Sequence, residues 1–201
     1  SSDDPLGPCL SASDQVLITI DQIATVSAGV DQTICSNSSA TLSGIIGGSA
    51  TSATWTGGSG TFSPNATSLN ASYTASAAEI AAGTVTLTLT TNDPSGTCSA
   101  VSDNVILNID QAASANAGLD QSICAGTSVN LAGVIGGGGT SGIWSGGTGT
   151  FSPNTNSLNA IYAPSATEIS SGSVTLTLSS DDPLGPCLSA SDQVLITIDQ
   201  I

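Results

Sequence analysis

The chain has 201 residues, of which 15 are acidic and none is Lys, Arg or His, so its formal net charge at pH 7 is -15. Nucleic acids are bound through Lys and Arg, and a negative field repels anionic membrane surfaces, so the composition excludes both partners. High charge is also typical of disordered chains, but 39% of the residues are hydrophobic and their periodic placement predicts a folded protein.

The chain opens on a segment that it repeats at its end, since residues 1–23 recur unchanged as residues 179–201, an offset of 179 − 1 = 178. Half of that offset, 89, aligns the rest of the chain without a gap, for example Cys35 with Cys124 and Trp55 with Trp144. A fixed period of this kind predicts tandem repeats. We expect repeats at 23–111 and 112–201, preceded at 1–22 by the last strand region of a truncated repeat. The sequence therefore predicts a section cut from a longer array.

Within the first repeat, the alternation of apolar and polar residues predicts short strands in chain order. After a lone terminal strand over 15–21, these are "VDQTIC", "SATLSG", "SATWTGG" and "NASYT", with "GTFSPN" as a turn. A helical turn follows, because Ser76 and Glu79, like Ser165 and Glu168, fit a capping box. "TVTLTLT" and "VILNID" then predict a hairpin with one buried face. About seven short strands per repeat, with a Trp on the third, indicate an all-β chain of tandem immunoglobulin-like β-sandwiches forming an elongated rod or filament.

The aromatic residues are predicted to lie in the two cores, where sandwiches of this type need them. They are Trp55, Trp144, Phe62, Phe151, Tyr73 and Tyr162.

Several motifs recur in both repeats and resemble those of a known family. They are "AGVDQTIC", "WTGGSGTFSPN", "EIAAGTVTLTLTTNDPSGTC" and "DNVILNI", with "AGLDQSIC", "WSGGTGTFSPN" and "EISSGSVTLTLSSDDPLGPC" in the second repeat. Together they resemble the Ig-like or PKD-like repeats of giant surface adhesins of Bacteroidota, of the gliding-motility SprB type. The resemblance implies type IX secretion, a place on the bacterial cell surface and a filamentous role in attachment or gliding motility.

Each repeat carries two cysteines, and Cys9 is the copy of Cys98 and Cys187 in the truncated repeat. In an exported chain, such cysteines indicate disulfides. One arrangement pairs Cys35 with Cys98 and Cys124 with Cys187 inside each repeat. We favour Cys35 with Cys187, between repeats, because the two cysteines of one sandwich should lie at opposite poles, farther apart than the roughly 7 Å that a disulfide spans. That pairing leaves Cys9, Cys98 and Cys124 for partners outside residues 1–201.

The acidic residues near the predicted joints are the only candidate metal ligands. Oxygen ligands without a basic counter-charge could hold calcium, and the candidates are Asp110, Asp181, Asp182 and Asp192. The alternative, which we prefer, is a solvated acidic surface that keeps a secreted fibre soluble. We expect no other cofactor.

Catalysis is not expected, because the chain has neither His nor Lys to serve as an ordinary general base. The hypothesis that fits best is a structural segment of an extracellular fibre or adhesin stalk, whose partners are further copies of the repeat in the same or neighbouring chains. No apolar run is long enough to insert into a membrane. The alternative function is a glycan-binding or cell-binding module that acts through its loops.

Overall fold

The computed structural model describes residues 13–94 and 98–200, whose regular secondary structure consists mostly of short strands. The elements of the first half are β1 (Ala24–Ser27), β2 (Gln32–Cys35), β3 (Ala40–Thr41), β4 (Ile45–Gly48), β5 (Ala53–Thr56), β6 (Thr61–Ser63), β7 (Ser72–Thr74), α1 (Ala77–Ala82), β8 (Thr84–Thr91) and β9 (Ser102–Asp110). Those of the second half are β10 (Ala113–Asn116), β11 (Gln121–Cys124), β12 (Val129–Asn130), β13 (Val134–Gly137), β14 (Gly142–Ser145), β15 (Thr150–Ser152), β16 (Ile161–Ala163), α2 (Ala166–Ser171), β17 (Ser173–Ser180) and β18 (Ser191–Asp199).

The two halves share one sheet topology. In the first half, a four-stranded sheet with the order β2-β9-β8-β5 accompanies a three-stranded sheet, β3-β7-β6, and the pair β1-β4. In the second half the corresponding sheets are β11-β18-β17-β14, β12-β16-β15 and β10-β13. Pairing is antiparallel except where β2 runs parallel to β9 and β11 runs parallel to β18. The last strand of each half is thus held between two others.

The alternating sequence of β8 explains how the sheets enclose their cores. Val85, Leu87 and Leu89 are buried on one face, and Thr84 and Thr86 are exposed on the other. Successive side chains of a strand point to opposite faces, so the threonines meet water while the aliphatic residues pack inward. Among the described residues, one hydrophobic cluster lies in each half. The structure is an all-β fold of immunoglobulin-like type, as the sequence predicts.

Each half also contains the short helix that the capping motif predicts. The Ser76 side chain accepts a hydrogen bond from the Glu79 backbone, and the Glu79 carboxylate accepts one from the Ser76 backbone. The helix ends at Gly83, which has a left-handed φ of 75° that disfavours residues with a Cβ atom. The second half repeats these features at Ser165, Glu168 and Gly172.

Three regions differ from the prediction. The segment "GTFSPN" is more than a turn, since it contains β6, and β1 and β4 were not predicted as strands. These strands are only three or four residues long, and β4 has the sequence IIGG, whose glycines weaken a strand pattern. The lone terminal strand is absent, because residues 13–23 form no helix or strand in the described structure.

Candidate functional site: the disulfide-linked joint

A disulfide between Cys35 and Cys187 joins the two halves of the chain. Its Cα atoms lie 5.0 Å apart, although 152 positions separate them in sequence. Cys35 is the last residue of β2, and Cys187 lies in the loop between β17 and β18. Both side chains are at most 5% exposed. This is the pairing between repeats that we favoured from the sequence, and not the pairing of Cys35 with Cys98 inside one repeat.

The connection between the halves is held by further contacts beside the disulfide. The carbonyl oxygen of Asp110, at the end of β9, accepts a hydrogen bond from the Ser36 amide at 2.8 Å and lies 3.4 Å from the Cys187 sulfur. The Ala112 amide donates to the Ser36 hydroxyl, at 2.9 Å. The Ala112 carbonyl in turn accepts from the Gly138 amide, at 3.0 Å. These contacts and the disulfide fix residues 110–112 from both sides, so we call this region the joint.

Ser36, Ala112 and Gly138 belong to the joint, although their sequence positions did not indicate it. The signal was weak, because Ser and Gly are abundant throughout the chain and the contacts use mostly backbone atoms. Only the position of Ser36, directly after a cysteine at the end of a strand, could have indicated a role.

Two other cysteines pair with no cysteine of the described residues. Cys98 is partly exposed and Cys124 is exposed. The Cys98 sulfur lies 3.8 Å from the carbonyl oxygen of Asp21, a contact like that between Cys187 and Asp110. Cys9 lies outside the described residues.

The calcium candidates are only partly brought together. Asp110, Asp181 and Asp182 line one surface depression beside the joint, whereas Asp192 accepts a hydrogen bond from the Ala117 amide at 2.8 Å. Among residues 13–94 and 98–200, no three His, Cys, Asp or Glu side chains are grouped as a metal ion would require. Both interpretations of these residues, a calcium site and the solvated acidic surface that we prefer, stay predictions from the sequence.

Asp181 organises the loop next to that depression. Its carboxylate accepts hydrogen bonds from the Thr140 hydroxyl at 2.5 Å, the Thr140 amide at 2.8 Å and the Ser141 amide at 3.0 Å. These bonds, the one from the Thr140 side chain above all, lower the pKa of Asp181 to about 2. In the first half Asn92 occupies the equivalent place and accepts from the Thr51 and Ser52 amides.

Each half also has one carboxylate buried under its helix, Glu79 in the first half and Glu168 in the second. Glu79 is 8% exposed and accepts hydrogen bonds from the Ser59 amide at 2.6 Å, the Tyr73 hydroxyl at 2.8 Å and the Ser76 amide at 2.8 Å. Burial raises the pKa of Glu79, but the hydrogen bonds from Ser76, Ser59 and Tyr73 outweigh it, so that the net pKa is lowered. Burial and the bond to Glu79 raise the pKa of Tyr73 to about 12. The network therefore combines an ionised carboxylate with a neutral phenol.

The predicted core aromatics lie where they were expected, with one difference. Trp55, Trp144, Tyr73 and Tyr162 are at most 1% exposed. Phe62 and Phe151 are half-buried and pack against the two cores from the short strands β6 and β15. They lie at the edge of their sheet, where one side is open, and each contacts a tyrosine ring with centroids 4.7 Å apart.

No protein-family profile and no curated protein sequence matches the chain. Solved structures with a similar fold include the insect immune protein hemolin, with a TM-score of 0.53, 9% identity and coverage of 92% of this chain and 49% of that one. Drosophila N-cadherin EC1-4 has a TM-score of 0.49 and 12% identity, and the match covers 89% of this chain and 50% of that one. Mouse cadherin-23 EC22-24 has a TM-score of 0.46 and 13% identity, and the match covers 90% of this chain and 67% of that one. The chain spans about half the length of the first two structures. The similarity to hemolin supports the immunoglobulin-like fold.

Proposed function

We propose that this chain is a structural segment of an extracellular repetitive fibre or adhesin stalk. The observation that carries the proposal is the joint, in which the Cys35–Cys187 disulfide crosses from one half of the chain to the other. A disulfide inside one sandwich would stabilise that sandwich alone, whereas a disulfide across the joint limits how the two halves move relative to each other. Such a linkage transmits tension and bending along a chain of units.

An extracellular location follows from the same bond, because disulfides persist in oxidising environments. The described residues contain no helix that is long and apolar enough to cross a membrane. The charge of -15 keeps neighbouring fibres apart through mutual repulsion. The motif resemblance extends the proposal to the cell surface of Bacteroidota, with export by a type IX secretion system and a role in attachment or gliding motility.

The proposed role needs no catalysis. A chain without Lys, Arg or His has few groups for proton transfer at neutral pH. The buried carboxylates Glu79 and Glu168 accept hydrogen bonds from their own loops and helices, so we assign them to folding.

Small-angle X-ray scattering tests whether the disulfide sets the shape. The oxidised chain is compared with the double variant Cys35→Ser/Cys187→Ser. Cys124→Ser serves as the control, because Cys124 is exposed and pairs with no cysteine of residues 13–94 and 98–200. We expect one extended conformation for the oxidised chain and the control, and a broader distribution for the double variant. Equal distributions in all three would contradict the proposal.

The alternative function is glycan or cell binding through the loops. Sugar sites commonly present aromatic faces to solvent, but both Trp side chains are 1% exposed and both Tyr side chains 0%. A glycan-array screen of the oxidised chain distinguishes the functions. Specific binding that is lost on changing loop residues, with the scattering curve unaltered, would favour the binding module.

A further inference from the structure

A surface cleft of about 500 Å³ lies in the second half of the chain, within the range of roughly 300–1,000 Å³ that ligand sites occupy. Its floor is apolar. Ile143, on β14, is 48% exposed there, and Leu158 is a partly buried residue packed on the core below. Gly142 adds no side chain to the floor, where a Cβ atom would come 2.8 Å from Ile135 Cγ1 and 3.0 Å from Leu158 Cδ2. The cleft therefore offers an aliphatic surface to a ligand.

The rim of the cleft carries the carboxylate of Asp181. Asp181 Oδ1 accepts hydrogen bonds from the Thr140 and Ser141 amides, at 2.8 Å and 3.0 Å, and Oδ2 accepts one from the Thr140 hydroxyl, at 2.5 Å. These bonds, the one from the Thr140 side chain above all, lower the pKa of Asp181 to about 2, so the carboxylate is ionised at neutral pH. Asn156 also lines the cleft and adds a neutral carboxamide.

The bonds that Asp181 already accepts determine which cation suits it. A carboxylate has about four hydrogen-bonding positions on its two oxygens, and three are used, two of them on Oδ1. One position remains, on Oδ2. A guanidinium group binds best through two parallel bonds, one to each oxygen, and Oδ1 has no position left for it. An ammonium group is a compact donor that needs a single acceptor, and the four-carbon stem of a lysine covers apolar surface of the kind found on the cleft floor.

The first half has the same strand pairing at this place but different side chains. The residues at the positions of Gly142, Ile143 and Asp181 are Ala53, Thr54 and Asn92. Asn92 Oδ1 accepts hydrogen bonds from two loop amides, at 2.9 Å and 3.0 Å, so it holds its loop without a charge. Ala53 is 3% exposed and adds a methyl group where Gly142 has none. Of the two halves, the second is thus the one that combines the aliphatic floor with a carboxylate.

We propose that this cleft binds a lysine side chain of a partner protein, with the stem of the lysine on Ile143 and Leu158 and its ammonium group on Asp181 Oδ2. The partner is not a second copy of residues 1–201, because they contain no Lys. The charge of -15 attracts a basic protein, and the neighbouring depression, lined by Asp110 and Asp182, extends the negative surface. The inference goes beyond the proposed stalk function, since it gives the stalk a point at which a different protein attaches.

A nuclear magnetic resonance titration of the ¹⁵N-labelled 201-residue chain tests the site. The probe is the peptide acetyl-Gly-Lys-Gly-amide, added at constant ionic strength. We expect saturable chemical-shift changes that are largest at the amides of residues 140–143 and 181, with much smaller changes at 51–54 and 92. A peptide with Nε-acetyl-lysine, which keeps the stem and loses the charge, and a peptide with arginine should each bind about fivefold more weakly or less.

Matched variants separate the site from the general acidity of the chain. Asp181→Asn introduces the residue of the first half and should weaken binding of the lysine peptide about fivefold. Asp182→Asn removes the same charge one position further on and should change the affinity less than about twofold. Ile143→Thr, which also introduces the first-half residue, should weaken binding about threefold. Thermal unfolding checks that the variants fold, as we expect because the first half folds with these residues.

The reciprocal exchange tests for a gain of binding. The variant Ala53→Gly/Thr54→Ile/Thr67→Asn/Asn92→Asp gives the first half the cleft residues of the second. We expect the lysine peptide then to shift the amides of residues 51–54 and 92 as well. A folded variant without this gain would overturn the inference.

Other results would also overturn it. They are shifts spread evenly over the acidic surface, equal losses for Asp181→Asn and Asp182→Asn, and an arginine peptide that binds as well as the lysine peptide. Tighter binding of glucosamine at the same amides would identify a saccharide site instead. None of these measurements involves the Cys35–Cys187 disulfide, so their failure would leave the proposed stalk function to its own scattering test.

Discussion

Cys35 and Cys124 occupy the same position in the two halves of the chain, yet their environments differ. Each is the last residue of a short strand that runs parallel to the closing strand of its half. Cys35 is 5% exposed and forms a disulfide, whereas Cys124 is exposed and unpaired within the described residues. The strand and the register are the same, so the difference comes from what lies next to the strand. Neither half alone makes the joint, because the disulfide takes one cysteine from each half.

Removing the disulfide should have the largest effect and tests directly whether Cys35 and Cys124 differ in their contribution to stability. We expect Cys35→Ser/Cys187→Ser to lower the total free energy of unfolding by about 4 kcal/mol, because the bond closes a very long loop. Cys124→Ser, its equivalent without a partner, should change stability very little. Guanidinium unfolding at matched protein concentration measures both. Equal losses for the paired and the unpaired cysteine would contradict the difference between their environments.

The next prediction concerns a feature that should be the same in both halves, the buried carboxylate under the helix. Replacing Glu79 by Gln puts an NH₂ group among amide and hydroxyl donors that now point at carboxylate oxygens. We therefore expect the free energy of unfolding to fall by about 3 kcal/mol. Glu168→Gln should cost the same, because Glu168 has equivalent donors in Tyr162 and Ser165. Differential scanning calorimetry of the two variants provides the comparison. A clear inequality would show that the joint affects one core more than the other.

The same carboxylates predict acid sensitivity. The folded-state pKa of Glu79 and of Glu168 is lowered, so their contribution is complete above the unfolded value of 4.5 and is lost as the pH falls through the lower folded value. We expect the melting temperature of the parent to fall below about pH 4.5. In Glu79→Gln/Glu168→Gln this acid-dependent fall should be much weaker. An identical pH profile for parent and variant would show that other carboxylates control acid unfolding.

The smallest effect is expected from exchanging a loop position at which the halves differ in charge, Asn92 in the first half and Asp181 in the second. Asp181 has its pKa lowered from 3.8 to about 2, so it stabilises the fold above pH 3.8 and loses that contribution as the pH falls through about 2. Asp181→Asn should therefore slightly lower the melting temperature at pH 7 and make no difference below pH 2. The reciprocal Asn92→Asp should slightly raise it at pH 7. If both exchanges shift stability in the same direction, the two loops do not act equivalently.

Much of the fold was predictable because the signals are local. The alternation in "TVTLTLT" defines a strand and its buried face, and the spacing of Ser76 and Glu79 defines a helix start. The short strands β4 and β6 were missed because tertiary pairing, rather than their own propensity, makes them extended. The position of Cys35 opposite Asp110 depends on parallel pairing between residues 75 positions apart (110 − 35). The hydrogen bonds of the Ser36 amide to Asp110 and of the Gly138 amide to Ala112 use backbone atoms, which carry no sequence signal.

The distance between the two halves tests most directly whether the disulfide fixes the joint. Spin labels attached to non-natural residues at Thr88 and Thr177, on β8 and β17, can be measured by pulsed dipolar spectroscopy with the native cysteines retained. We expect a single narrow distance distribution for the oxidised chain, which broadens when the Cys35–Cys187 bond is reduced. A distribution that is equally broad before and after reduction would contradict this expectation.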